Sequence, residues 1–187
     1  GEFVSSAPMY QDRLYINDGK GRFVKTTDAL PAETSSGSYV TAGDYDKDGD
    51  LDLFVGGRLV PGNYGFVPRS FIFRNESKDG KIKFTDATGE HAEALSSPGM
   101  VTCALWTDYN GDSWPDLVLA GEWMPIRIFV NQHGKLSEQN IPDLERSHGW
   151  WCSIFQTDID NDGDPDYFLG NAGTNMQFKA SEDEPIE

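Results

Sequence analysis

The sequence predicts an all-β fold built from β-propeller blades, each of four antiparallel strands, in about three blade equivalents. Three observations predict it. A nine-residue acidic pattern occurs three times, at 44–52, 108–116 and 158–166, so that its copies start 64 and 50 residues apart. Each copy lies between a strand-like run and a short apolar run. A hairpin-like segment ending its first strand in asparagine also recurs, with Asn17, Asn75 and Asn131 spaced 58 and 56 residues apart. Four short strands per period of about 50–60 residues is the pattern of a propeller blade. Helical periodicity is almost absent, and Pro and Gly punctuate every segment.

The elements follow in order. Leu14-Tyr15-Ile16 leads through Asn17-Asp18-Gly19 into Arg22-Phe23, an alternating run meeting hairpin turn chemistry. Ser38–Ala42 is the strand before the first acidic loop, and Leu53–Gly56 is the strand after it. Phe71–Asn75 and Ile82–Thr85 form the next hairpin around Gly80. Met100–Trp106 and Leu117–Ala120 flank the second loop, and Ile128–Asn131 with Leu136 repeats the hairpin through Gly134. Trp150–Phe155 and Tyr167–Gly170 flank the third loop. Unbroken apolar runs of four bounded by glycine read as strands covered on both faces.

The repeat unit is therefore strand A, acidic loop, strand B, a longer loop, strand C, a tight turn and strand D. The chain divides into a half blade at 10–30, blades at 38–88 and 99–139, and a half blade at 149–175. Propellers typically hold four to eight blades. The chain is thus expected to be a fragment of a larger propeller, or to close a ring by association of identical copies. The fragment is the favoured expectation.

The acidic loops carry the chemistry. The first presents Asp44, Asp46, Asp48, Asp50 and Asp52 in nine residues. The third presents Asp158, Asp160, Asp162, Asp164 and Asp166 in the same places. The second presents Asp108, Asn110, Asp112 and Asp116, with Trp114 at position seven offering its backbone carbonyl. So many carboxylates at alternate positions repel one another unless a cation sits among them. Oxygen-only donors suit a hard divalent ion, and Ca²⁺ is expected, up to three in all. An EF-hand would need an acid at position twelve and an exiting helix. Position twelve is Val55, Leu119 or Leu169, inside a strand, so that class is excluded. Gly49 and Gly163 allow a positive φ at position six, where the second loop has Ser113. Less charge and more strain make the second loop the expected weakest site.

The chain of 187 residues carries 15 basic and 31 acidic side chains, for a net charge of −16. The loops hold five, three and five of the acids, so the acidity is local and metal-directed. Three bound Ca²⁺ ions would bring the charge to about −10. This balance argues against a nucleic-acid partner. No apolar stretch reaches transmembrane length, so direct membrane insertion is not expected. Cys103 and Cys152 form no metal-binding or Cys-x-x-Cys pattern and read as buried free thiols.

The loops and the strand tails Leu53-Phe54-Val55-Gly56-Gly57 and Tyr167-Phe168-Leu169-Gly170-Asn171 resemble the FG-GAP/VCBS repeats of integrin-α-like β-propellers over about 10–175. Gly57–Gly62 and Gly121–Pro125 are similar to large secreted or surface VCBS-repeat proteins of Bacteroidetes-type bacteria. The resemblance implies calcium-binding blades and an extracellular, cell-surface or periplasmic setting, with roles such as adhesion. It does not imply an activity.

If the acidic loops line one rim, the opposite rim gathers Arg58, Tyr64, Phe66, Arg69, His91, Glu122, Trp123, His148 and Trp150. Exposed aromatics beside polar groups suit a protein or carbohydrate ligand. No nucleophile elbow, zinc helix or phosphate loop occurs. The expectation is a non-enzymatic interaction module with structural Ca²⁺. The alternative is a carbohydrate-active lyase or hydrolase, or a sugar-binding domain, on the same scaffold, with Glu122 as its candidate acid.

Overall fold

A computed structural model describes residues 8–173. The ends of the chain, including the last two residues of the expected half blade at 149–175, lie outside the described residues. Strands β1 (Tyr15–Asn17) and β2 (Phe23–Lys25) pair as an antiparallel hairpin. Strands β3 (Ser36–Gly43), β4 (Asp52–Leu59), β5 (Phe71–Asn75) and β6 (Phe84–Asp86) form an antiparallel sheet in that order. Strands β7 (Met100–Thr107), β8 (Asp116–Met124), β9 (Arg127–Asn131) and β10 (Leu136–Gln139) repeat it. Strands β11 (Gly149–Thr157) and β12 (Asp166–Asn171) are the A and B strands of a further unit. The all-β, propeller-like architecture expected from the repeats is the one observed.

Strand B alternates its side chains between two cores. In β4, Phe54 enters a core shared with Leu117, Leu119 and Phe129 of the following sheet, while Val55 joins Phe71, Phe73 and Phe84 on the other face. In β8, Leu117 and Leu119 face back to that shared core and Val118 faces Ile154 and Tyr167. Both faces are therefore covered, as the unbroken apolar runs imply. By contrast, Phe155 and Phe168 of the last pair are about two-thirds exposed, at 65% and 66%.

Neighbouring A strands are tied by a recurring hydroxyl. Ser38 Oγ donates to the Val101 carbonyl at 2.5 Å, and Thr102 Oγ1 donates to the Trp151 carbonyl at 2.5 Å. Ser38 and Thr102 each stand six residues before an acidic loop, a place taken in the third unit by Cys152. Cys152 is exposed, which corrects the expectation that both thiols are buried; only Cys103 is. The Cys152 side chain lies on a face that no further strand covers among the described residues.

Two features were not legible in the run lengths. β4 and β8 continue past their glycines to Leu59 and Met124. A Cβ on Gly57 would collide with the Arg69 carbonyl, and one on Gly121 with the Met100 carbonyl, so these glycines serve close approach and do not end the strand. A single helical turn, α1 (Thr88–His91), follows β6. Asp86 sets it by accepting from Thr88 N at 3.0 Å and Thr88 Oγ1 at 2.6 Å. One turn is too short to leave a periodic signal.

Leu119 is fully buried at the centre of the shared core. Leu119→Ala is expected to cost about 2–5 kcal/mol of unfolding free energy. Val40→Ala, on the exposed face of β3, should cost less than about 0.5 kcal/mol. Urea denaturation of the two variants checks the contrast, and equal losses would contradict the placement of the core.

Candidate metal centre

Each acidic loop joins strand A to strand B, and all three fold the same way. Positions four and six both have positive φ: Lys47 at 58° and Gly49 at 96°, Gly111 at 74° and Ser113 at 67°, Asn161 at 62° and Gly163 at 95°. The position-four turn was missed in the sequence, where only the glycine at six stood out. Lys47 and Ser113 pay for this conformation with steric strain that Gly and Asn largely avoid.

The folded loops turn their N–H groups onto their own carboxylates. Asp44 accepts from Asp48 N and Gly49 N, each at 3.1 Å. Asp158 accepts from Asp162 N at 3.2 Å and Gly163 N at 3.1 Å, and Asp108 from Ser113 N at 2.8 Å. The position-five carboxylates Asp48, Asp112 and Asp162 accept from the N–H of Asp50, Trp114 and Asp164. The ninth residues Asp52, Asp116 and Asp166 accept from Tyr45, Tyr109 and Ile159 at position two. Asp52 and Asp116 use their other oxygen to accept from Asn75 N at 2.8 Å and Asn131 N at 2.7 Å. The ninth aspartate thus ties its loop to strand C.

Among the described residues, two clusters of carboxylates could hold a metal ion. Asp44, Asp46 and Asp48 each offer an oxygen within 4.8 Å of the others, and so do Asp158, Asp160 and Asp166. Asp50 and Asp52 stand outside the first group; Asp162 and Asp164 stand outside the second. In the second loop Asn110 Nδ2 donates to Asp112 Oδ2 at 3.0 Å, so an amide hydrogen sits where the first and third loops have only acids. Trp114 packs its ring against His133 at 5.0 Å, with Lys47 Nζ 4.6 Å from its centroid.

The donor set fits a hard cation. Asp46 Oδ1 and Asp108 Oδ1 are buried without a hydrogen-bond partner. An unpartnered buried carboxylate oxygen is costly unless a cation meets it. Burial pushes the Asp46 carboxyl up, and Asp48 and Asp44 push it further. Burial pushes Asp52 up to about 6, against the Asn75 and Tyr45 N–H groups that hold it down. Burial also raises Asp116.

The FG-GAP-like repeat profile matches residues 2–55 and 108–169, more than half of the chain. The chain belongs to the FG-GAP-like repeat family. Each FG-GAP match closes just beyond an acidic loop, the first after 44–52 and the second after 158–166. No curated protein matches the chain closely enough to count as a relative. Among the described residues no helix is long and apolar enough to cross a membrane.

A second cluster lies among the residues expected on the opposite rim. Glu122, buried on β8, accepts from Arg58 Nε at 3.0 Å and Nη2 at 2.9 Å, and from Tyr64 OH at 2.8 Å. Trp123 Nε1 donates to Tyr64 OH at 2.9 Å, and the Trp123 and Trp150 rings meet edge to face at 5.2 Å. Trp123 holds a φ of 59°, an unusual conformation for so large a residue. Phe66 and His148 are exposed. Arg69 instead pairs with Asp86 at 2.7 Å over the Phe71 ring. His91 also departs from the expected grouping. Its Nδ1 is 2.9 Å from the Gly134 carbonyl and its ring packs on Tyr45, beside the first acidic loop.

The Asp52 shift makes a prediction about the metal-free chain. Its folded pKa, about 6, exceeds the unfolded value of about 3.9. The folded state then binds more protons between those values, so stability falls as pH rises through the window. In chelator the melting temperature should be higher at pH 5 than at pH 7, and Asp52→Asn should shrink the difference. Thermal melts at the two pH values check this; a rise from pH 5 to pH 7 would contradict it.

Proposed function

We propose that the chain is a Ca²⁺-stabilised extracellular interaction module in which the ions are structural and the opposite rim receives the ligand. The observation that carries the calcium reading is the buried, unpartnered Asp46 Oδ1 within the Asp44–Asp46–Asp48 group. Ca²⁺ accepts six to eight oxygens in flexible geometry, whereas Mg²⁺ demands near-ideal octahedra and zinc sites rely on Cys and His. No such soft ligand occurs in the three loops. When bound, the ion supplies the positive charge that cancels carboxylate repulsion and couples loop closure to folding. FG-GAP membership supports an extracellular setting, where millimolar Ca²⁺ suffices even for weak sites.

The ligand reading rests on the rim cluster. Trp123, Trp150 and Tyr64 offer amphipathic ring surface, and Arg58 with Glu122 offers fixed polar groups. That combination suits a carbohydrate or a protein loop. The lyase or hydrolase alternative needs Glu122 available for proton transfer. Both of its oxygens are engaged by Arg58 and Tyr64, which favours binding over catalysis.

Chelation tests the calcium reading. Ca²⁺ at about 100 times Kd stabilises by about 2.7 kcal/mol per site. For a domain of this size that corresponds to a melting temperature about 5–10 °C lower in EDTA. Identical melts with and without chelator would overturn the reading. For the rim, Trp123→Ala is expected to weaken binding at least about tenfold to whichever glycan or protein a ligand array identifies. It should leave the Ca²⁺-dependent melting shift intact. A variant that binds as well as the parent would move the ligand surface elsewhere.

A further inference from the structure

We propose that the first and second acidic loops bind their cations cooperatively, with Asn131 as the coupling residue and the Lys47–Trp114 contact as its optical reporter. The proposal rests on the reading of these loops as Ca²⁺ sites.

Asn131 ends β9 and is fully buried. It is bonded to both loops at once. Its Nδ2 donates to the Tyr45 carbonyl of the first loop at 2.7 Å and to the Pro115 carbonyl of the second at 3.0 Å. Its backbone N–H donates to Asp116 Oδ1 at 2.7 Å, and its Oδ1 accepts from Gly134 N at 2.8 Å. Gly134 in turn abuts the first loop, since a Cβ there would stand 3.3 Å from Asp46 Cβ. Lys47 reaches across to the Trp114 ring. Positions two to four of the first loop therefore meet positions seven to nine of the second, directly or through the 131–134 turn.

The counterpart Asn75 makes the within-unit half of the same pattern: its Nδ2 donates to the Leu51 carbonyl, as Asn131 does to Pro115, and its Oδ1 accepts from Ser77 N.

The coupling follows from shared ordering. A cation in the first loop fixes the Tyr45–Lys47 backbone. The fixed Tyr45 carbonyl holds the Asn131 amide, and Asn131 holds Pro115 and Asp116 in the closed arrangement of the second loop. The second cation then enters a loop whose ordering cost has already been met, which is positive cooperativity. Repulsion between the two ions acts in the opposite sense and is weakened by the carboxylates around each and by salt. Linkage makes the effect reciprocal.

The test uses the full chain stripped with EDTA and titrated with Ca²⁺ by calorimetry, alongside Tb³⁺ as a luminescent probe. Trp114, inside the second loop, sensitises Tb³⁺ bound there and so reports that site. Disabling the first loop with Asp44→Asn and Asp48→Asn should lower second-loop affinity by about 5–150-fold, the usual span of a site-to-site coupling. In an Asn131→Asp background, which removes the Nδ2 donor, the same pair of changes should alter it by less than about twofold.

Because the Asn131 change leaves the Tyr45 and Pro115 carbonyls without this donor and can unfold the chain, Lys47→Met is the second variant. It should abolish the Trp114 fluorescence change that accompanies filling of the first loop while leaving calorimetric binding there. A second loop indifferent to the first, or one that binds more tightly when the first is disabled, overturns the proposal alone. No binding at any loop overturns the calcium reading and the proposal with it.

Discussion

The buried carboxylate at the ninth position of the first and second acidic loops is the constraint on which the described units depend. Asp52 and Asp116 are fully buried and accept N–H groups from both the start of their loop and the end of strand C. One side chain thereby sets the loop closure, the start of strand B and the register of the hairpin beside it. Removing a carboxylate from water is unfavourable, and two backbone donors offset only part of that cost. The upward shift of Asp52 is the residue of the imbalance. The carboxylates of the same loop could hold a cation that would offset more of it.

From that point the structure is built sideways. Strand B sends alternate side chains to two cores, so each unit is incomplete without a neighbour on either face. The Ser38 and Thr102 hydroxyls fasten successive A strands. Asn131 fastens successive loops. On the loop side the Asn131 contacts are short and polar. On the Glu122 side a buried carboxylate held by Arg58 and Tyr64 lies beside half-exposed aromatic rings, with Phe66 and Val67 left in solvent. One side of the described units carries carboxylates that could hold a metal ion, and the other carries half-exposed aromatic rings.

Much of this was legible in the chain because its information is local. The spacing of Asp44, Asp108 and Asp158, the apolar runs behind them and the recurrent asparagines all lie within short segments. The missing acid at position twelve excluded the EF-hand on the same local ground. What was not legible depends on residues far apart. Cys152 looked like a second buried thiol, yet burial is set by what packs over β11 and not by β11 itself. His91 was grouped with Glu122 by its place between strands, but the turn after Asp86 carries it to Tyr45. Gly57 and Gly121 looked like strand ends and are sites of close backbone approach within longer strands.

The chain by itself determined the strand order within each unit, the three oxygen-rich loops and the hard character of any ion they take. These follow from side-chain chemistry and from φ preferences over a few residues. Tertiary structure decided which carboxylates converge and which become struts: Asp46 is left with an unmet oxygen, while Asp52 is bonded at both. It also decided that Asn131 spans two loops, because the packing of one unit against the next brings the Tyr45 carbonyl of the preceding loop within reach of its amide.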